Sequence, residues 1–193
     1  MQQRSEETRT RLLEAALKCF ANFGYNAASV DQICADAGVS KGAFYHHFPS
    51  KQAVFLALFE SWLVTVDVGL EAARQGTVPE TLLHMTGVLP TVLASADERL
   101  PMFLEFWLQA SRDEAVWQAS IAPYHRYQDY FAGLIQQGID EGSFAPVDPQ
   151  VTAQTMVAMA VGFLLQGVLD PHSANWEKVV REGMETLLKG LEA

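Results

Sequence analysis

Residues Ser29–Lys51 read SVDQICADAGVSKGAFYHHFPSK, and this stretch decides the fold class. Ser29 is a helix N-cap, and Gln32 three residues on completes a capping box. Val30, Ile33, Cys34 and Ala37 recur at helical spacing, which gives this helix one apolar face. Gly38 stands where a left-handed residue ends a helix. After Val39, Ser40 caps a second helix over Lys41–His47. Pro49 stops that helix, and Ser50 caps the next. Two short helices joined by a tight glycine-containing corner predict a helix-turn-helix. In that motif the second helix enters the DNA major groove by its N-terminal end.

The second helix carries Lys41, Gly42, Tyr45, His46 and His47, which are mostly too polar for a core, while Phe44 and Phe48 supply its apolar anchor. Gly42 lowers helix propensity but lets a backbone approach DNA closely. Ser40, Lys41, Tyr45, His46 and Lys51 are donors suited to phosphates or base edges. The alternative reading of the same residues is a solvated helix with an aromatic on each side.

GVSKGAFYHHFPSK resembles the helix-turn-helix signature of the tetracycline-repressor (TetR) family. The preceding TRTRLLEAALKCFANFGYNAASVDQICADA is similar to that family's first two helices, so the resemblance covers about Thr8 to Phe59. It implies DNA-backbone contacts for Tyr45, His46, His47 and Lys51. It implies that Ser40, Lys41, Gly42 and Ala43 face base edges or nearby phosphates. Ser29, which opens the first helix of the motif, joins the DNA-facing set. Family members often carry an aromatic where His46 stands.

A chain of 193 residues suits one or two domains and buries a sizeable core. Alternating apolar runs are short, and the segments between turns follow a 3.6-residue period, so the chain reads as all-α. The expected organisation is a helix-turn-helix domain over 1–52, with the motif at about 29–48, and a larger helical ligand-binding and dimerisation domain over 53–193. The net charge of −10 is unevenly spread. Residues 1–52 hold six basic and five acidic side chains, a net +1, whereas residues 53–193 hold seven and eighteen, a net −11. Local charge at a contact face governs DNA affinity, so the acidic remainder disfavours non-specific binding by the rest of the molecule. A plain soluble acidic surface explains it equally.

Cys19 and Cys34 fall on apolar faces without metal or disulfide spacing, which predicts buried free thiols. The N-terminus is polar, and the longest apolar run, Met156 to Leu165, is short of a membrane span. A cytoplasmic protein without membrane contact is expected.

In chain order, helix 1 is expected over Ser5–Phe23, with Leu12, Leu13, Ala16, Leu17, Phe20 and Phe23 inward and Gly24 ending it. Helix 4 runs from Ser50 to about Arg74. Thr77 and Glu80 form a second capping box, and helix 5 runs toward Ala94 with a kink or break at Pro90. Pro101 opens helix 6, whose polar face exposes Glu105. Asp113 caps a short helix bearing Trp117, and Pro123 starts a separate helix that ends at Gly142. Asp148 and Pro149 open an almost wholly apolar helix to Leu169, and the last helix covers Asn175–Leu191.

The second domain has apolar surface beyond the needs of a small bundle. Ala158 and Gly162, four apart, permit close approach, and with Val179, Met184 and Leu187 they fit a four-helix interface with a second copy. The resemblance implies that homodimer, which suits a helix-turn-helix reader. An ordinary monomer core is the alternative. The middle of the chain is rich in aromatics. Phe103, Trp107, Trp117, Tyr124, Tyr127 and Phe131, with Met156, Met159 and Phe163, are the candidate lining of an effector pocket, although aromatics at helical spacing also make plain core. No phosphate loop, metal-ligand pair or nucleophile elbow occurs, so no enzyme activity, metal or cofactor is expected. The expected partners are double-stranded operator DNA, a small mostly apolar effector and a second copy. A helical protein-interaction module without ligand control is the alternative function.

Overall fold

The structure is a computed structural model that describes residues 2–91 and 100–192, with the backbone alone for residues 2, 3 and 100–103. The described residues form α1 (Gln2–Ala27), α2 (Val30–Ala37), α3 (Lys41–His47), α4 (Lys51–Ala72), α5 (Val78–Met85), α6 (Leu100–Ala110), α7 (Glu114–Asp140), α8 (Pro149–Leu169) and α9 (Trp176–Lys189). The only extended pairing among them is an isolated bridge between Phe144 and Glu192. The all-α expectation holds.

The chain divides into two units: Met1–Val64 with Glu98–Ser120, and Thr65–Asp97 with Ile121–Ala193. This division differs from the expected 1–52 and 53–193. The reason is α6, which packs on α1. Its Phe106 is almost wholly buried, stacks on Phe55 at 4.0 Å between centroids and meets Tyr25 edge-on at 5.2 Å. A residue far along the chain thus completes the core around Phe20, Tyr25 and Phe55. The second unit has its own core, built from Leu70, Val78, Leu82, Met85, Leu134, Ile135, Phe144, Met156, Leu188 and Leu191.

Within α1, Leu12, Ala16, Cys19 and Phe20 are buried as expected, but Phe23 is 55 % exposed. Gly24 has φ +78°, outside the helical range, and turns the chain there. Tyr25 swings into the place beside Phe20 that Phe23 would have filled.

Two helix boundaries differ from expectation through proline. The break after α5 comes at Thr86 and Gly87, whose N–H groups bond back three residues to Leu83 and His84. Pro90 lies instead in the first turn of the helical segment that starts at Val88, where its missing N–H costs no bond. Pro123 does not start a helix. It lies buried within α7, which runs unbroken from Glu114. Asp113 caps that long helix, taking the Val116 N–H at 3.2 Å. The expected end of helix 5 toward Ala94 lies outside the described residues.

Two helices, α4 and α8, are long and apolar enough to cross a membrane by length and composition. The sequence reading, which counted only uninterrupted apolar runs, missed both. In α4 the apolar content has inward partners: Val54, Phe55, Phe59, Leu63 and Leu70 are buried in one or other unit.

Candidate nucleic-acid interface

The helix-turn-helix forms where local signals place it. Ser29 Oγ accepts the Gln32 N–H at 3.2 Å, and Gln32 Oε1 accepts the Ser29 N–H at 2.9 Å. Gly38 closes α2 in the left-handed region at φ 64°. Ser40 Oγ accepts the Ala43 N–H at 3.2 Å and opens α3. Ser50 Oγ accepts the Ala53 N–H at 3.1 Å and opens α4. Ile33, Cys34 and Ala37 hold α2 on the core.

Helix α3 is two-faced. Phe44 and Phe48 are buried on one side, with Ala43 and His47 at its flanks. Lys41, Gly42, Tyr45 and His46 are exposed on the other, as is Ser40 at the cap. That spacing puts the exposed four on one stripe. A Cβ built on Gly42 would meet nothing nearer than Ser40 Oγ at 3.8 Å, so the space above it is open. Tyr45 is 55 % exposed, with its ring edge-on to Phe44. His46 and His47 lie edge-on to one another at 5.2 Å.

The electrostatics of this surface are local. Lys41 pairs with Asp31 of α2 at 2.6 Å, and that hydrogen bond and charge push its pKa up. Both side chains are mostly exposed, so the pair adds little stability. Burial pushes the His47 pKa down, with the charges of His46 and Arg9 adding to the effect. Arg9 stacks over the Phe48 ring at 5.2 Å. The two thiols are buried as expected. Cys19 donates to Asp36 Oδ2 at 3.3 Å, and burial foremost raises its pKa to about 11.

Lys51, expected to contact phosphate, makes its contacts within the chain. Its Nζ donates to the carbonyl oxygens of Tyr25 at 2.7 Å, Ala28 at 2.8 Å and Asn26 at 3.2 Å. It also lies 4.5 Å from the centre of the Tyr25 ring. Burial lowers its pKa, and the charge of Glu105 partly offsets this. Glu105 is half-buried rather than exposed, and its Oε2 accepts the Asn26 N–H at 3.2 Å. No sequence signal marks the Lys51 contacts, because its partners lie 23 to 26 residues earlier.

The nine candidate effector residues do not fall in one unit. Trp107 and Trp117, both half-buried, lie in the first, where Trp107 meets Phe59 edge-on at 6.4 Å. Phe103 belongs to α6, and its side chain lies outside the described residues. The other six lie in the second unit. Met156 is a core residue, and Tyr127 and Phe131 pack against the same core. Tyr127 donates to Asp67 Oδ1 at 2.8 Å, and Arg126 pairs with Asp67 at 3.0 Å. Burial raises the Tyr127 and Tyr124 pKa values, reinforced for Tyr127 by the Asp67 hydrogen bond. Met159 and Phe163 reach from α8 toward Gly183 of α9. On the dimer candidates, Ala158 is exposed, while Gly162, Val179, Met184 and Leu187 are half-buried. A Cβ at Gly162 would meet nothing within 4 Å.

Residues 12–58 match the model of bacterial regulatory proteins of the tetR family, and residues 82–190 match that of the C-terminal part of BetI-type transcriptional repressors. The HTH-type transcriptional regulator UidR of Escherichia coli K12 is 43 % identical over 195 residues, which cover 99 % of this chain and 96 % of UidR. The A-factor receptor protein of Streptomyces griseus is 27 % identical over 98 % of this chain, which spans only 66 % of that relative. Among solved structures, a putative transcriptional regulator from Pseudomonas aeruginosa PAO1 superposes with a TM-score of 0.80 at 26 % identity, covering 94 % of this chain and 88 % of that one. The first model spans the two-faced α3, the second spans the helical part from residue 82 onward, and the likeness to UidR spans both. UidR and the Pseudomonas protein are both named as regulators of transcription. The chain belongs to the TetR family of DNA-binding transcriptional regulators.

Proposed function

We propose that this chain is a dimeric repressor that reads a pseudo-palindromic operator, one α3 per half-site, and leaves it when a small, mostly apolar effector binds. The exposed stripe of α3 carries the reading. Lys41, Gly42, Tyr45 and His46 stand clear of the core, and buried Phe44 and Phe48 fix their orientation. Ser29, Ser40, Ala43 and His47 flank the stripe and complete the contact set. Side chains at a helix N-terminus that enters the major groove reach base edges, and those farther along reach phosphates.

The dimer reading rests on an unpartnered apolar face of α8. Ala158, Leu165 and Leu169 are exposed at helical spacing around open Gly162, and Val179, Met184 and Leu187 of α9 are half-buried. The effector reading rests on half-buried aromatics and on kinship with a protein named as a receptor. The candidate contacts are Tyr124, Tyr127, Phe131, Met156, Met159 and Phe163 of the second unit, and Phe103, Trp107 and Trp117 of the first. A cytoplasmic location follows from the same reading.

The experiment has two stages. Full-length protein selects a duplex from a random library, and its mass on and off that duplex is measured by sedimentation. Two copies on one palindrome, with affinity falling steeply with salt, are expected. Failure to select any duplex refutes the reading. Apolar compounds that raise the melting temperature are then titrated with and without the duplex. A coupling of about 1–3 kcal/mol changes each affinity about 5- to 150-fold, reciprocally. Equal ligand affinity in both conditions refutes effector release.

A further inference from the structure

The α1–α2 corner is held from two sides by charged residues distant in sequence. On one side stands Lys51, the first residue of α4. An ammonium has three N–H donors, and here three carbonyl oxygens lie at 2.7, 2.8 and 3.2 Å. These carbonyls belong to Tyr25, Ala28 and Asn26, in the turn that follows Gly24, where backbone acceptors lack helical partners. A cation suits the negative end of a helix. The Tyr25 ring covers the ammonium from a further direction at 4.5 Å. On the other side stands Glu105 of α6. It accepts the Asn26 N–H at 3.2 Å, and its carboxylate oxygens come within 2.8 and 2.9 Å of where a Gly24 Cβ would lie.

We infer that Lys51 is a positioning residue rather than a phosphate contact, and that Lys51 and Glu105 together clamp the Gly24–Ala28 corner, which sets the attitude of α2 and α3. The corner feeds directly into Ser29, the N-cap of α2, and α2 leads into α3. A displacement of α6 therefore reaches the reading helices through Glu105 and Asn26, without passing along α4. The inference rests on the DNA-reading role proposed for α3. A phosphate-contacting Lys51 would have to abandon three backbone carbonyls to reach DNA, leaving them without their cation.

The test separates clamping from phosphate contact by salt dependence. Wild-type, Lys51→Met and Lys51→Arg full-length proteins are titrated with the selected duplex and with a random-sequence duplex at several salt concentrations. Far-ultraviolet circular dichroism confirms that each is folded. For Lys51→Met the clamp predicts a loss of specific affinity of tenfold or more, with random-duplex affinity and the salt slope unchanged. Each lost phosphate contact would instead lower the slope of log K against log salt by about 0.9. Such a drop overturns the inference, as does unaltered specific affinity. Should Lys51→Met not fold, Lys51→Arg decides. Arginine keeps the charge, but its planar fork cannot point three N–H groups at three carbonyls converging on one nitrogen. Clamping predicts weakened specific binding in Lys51→Arg, and wild-type affinity overturns it. Absence of duplex selection by the wild type would refute the DNA reading itself, which keeps the two failures apart.

Discussion

Single residues carry the DNA-reading argument, and Gly42 is the sharpest case. Because the space above it is open, Gly42→Leu fits the free protein and gains roughly 0.5–1 kcal/mol of helix propensity. The same side chain stands on the exposed α3 stripe proposed to approach DNA. The expected outcome is an unchanged or higher melting temperature together with lost specific binding, measured by thermal melting and duplex titration. Retained affinity would show that another face reads DNA. Ser40→Ala removes the cap on α3 and is expected to destabilise by about 1 kcal/mol, read as a lower denaturation midpoint. For His47 the sign follows from its lowered pKa. The folded chain holds this proton less readily than the unfolded chain, whose group titrates near the ordinary 6.5. Its contribution to stability is therefore full above that value and declines as pH falls through it toward the folded pKa. In His47→Gln, melting temperature should decline less between about pH 7 and 5 than in the wild type. The caps at Ser29, Ser40, Ser50 and Asp148 were legible because donor and acceptor lie within three residues. The Lys51 contacts were not, because nothing in a local pattern says that Tyr25, Asn26 and Ala28 turn their carbonyls toward it.

At the scale of helices, two glycines differ in what surrounds them. A Cβ at Gly183 of α9 would stand 3.0 Å from Phe163 Cζ, whereas one at Gly162 of α8 meets nothing. Close packing of α8 on α9 within the chain thus uses Gly183. Gly183→Leu is expected to overpack the α8–α9 contact, costing about 1–3 kcal/mol in chemical denaturation. Gly162→Glu should leave circular dichroism unchanged but convert the dimer to a monomer in sedimentation, since an unpaired charge cannot be buried cheaply at an apolar interface. A Gly162→Glu protein that remains dimeric would place the interface elsewhere. Helix existence was legible throughout from period and caps. Boundaries at proline were not, because a proline reads alike whether it opens a helix, as Pro149 does, or is carried inside one, as Pro123 is. Only the packing around the helix decides between them.

For the whole molecule, the first unit is discontinuous in sequence, and this was the least legible feature. Periodicity shows that α6 has an apolar face but not which core receives it. Phe106→Ala should therefore injure the helix-turn-helix, although Phe106 lies 58 residues beyond Phe48, the C-cap of α3. A loss of about 3–5 kcal/mol is expected for so buried an aromatic. Hydrogen exchange should report it, with amides of α1 and α4 losing protection, while loss confined to α6 itself would count against this packing. The discontinuity also has a consequence for synthesis. A nascent chain at about 5–20 residues per second reaches Phe106 roughly 3–10 s after Phe55. In that interval the cluster of Phe20, Tyr25 and Phe55 lacks the Phe106 ring, and Asn26 lacks its Glu105 acceptor. The helix-turn-helix, though it precedes α6 in the chain, cannot finish folding until α6 has emerged, and until then the growing chain presents an open aromatic cleft to whatever chaperone attends it.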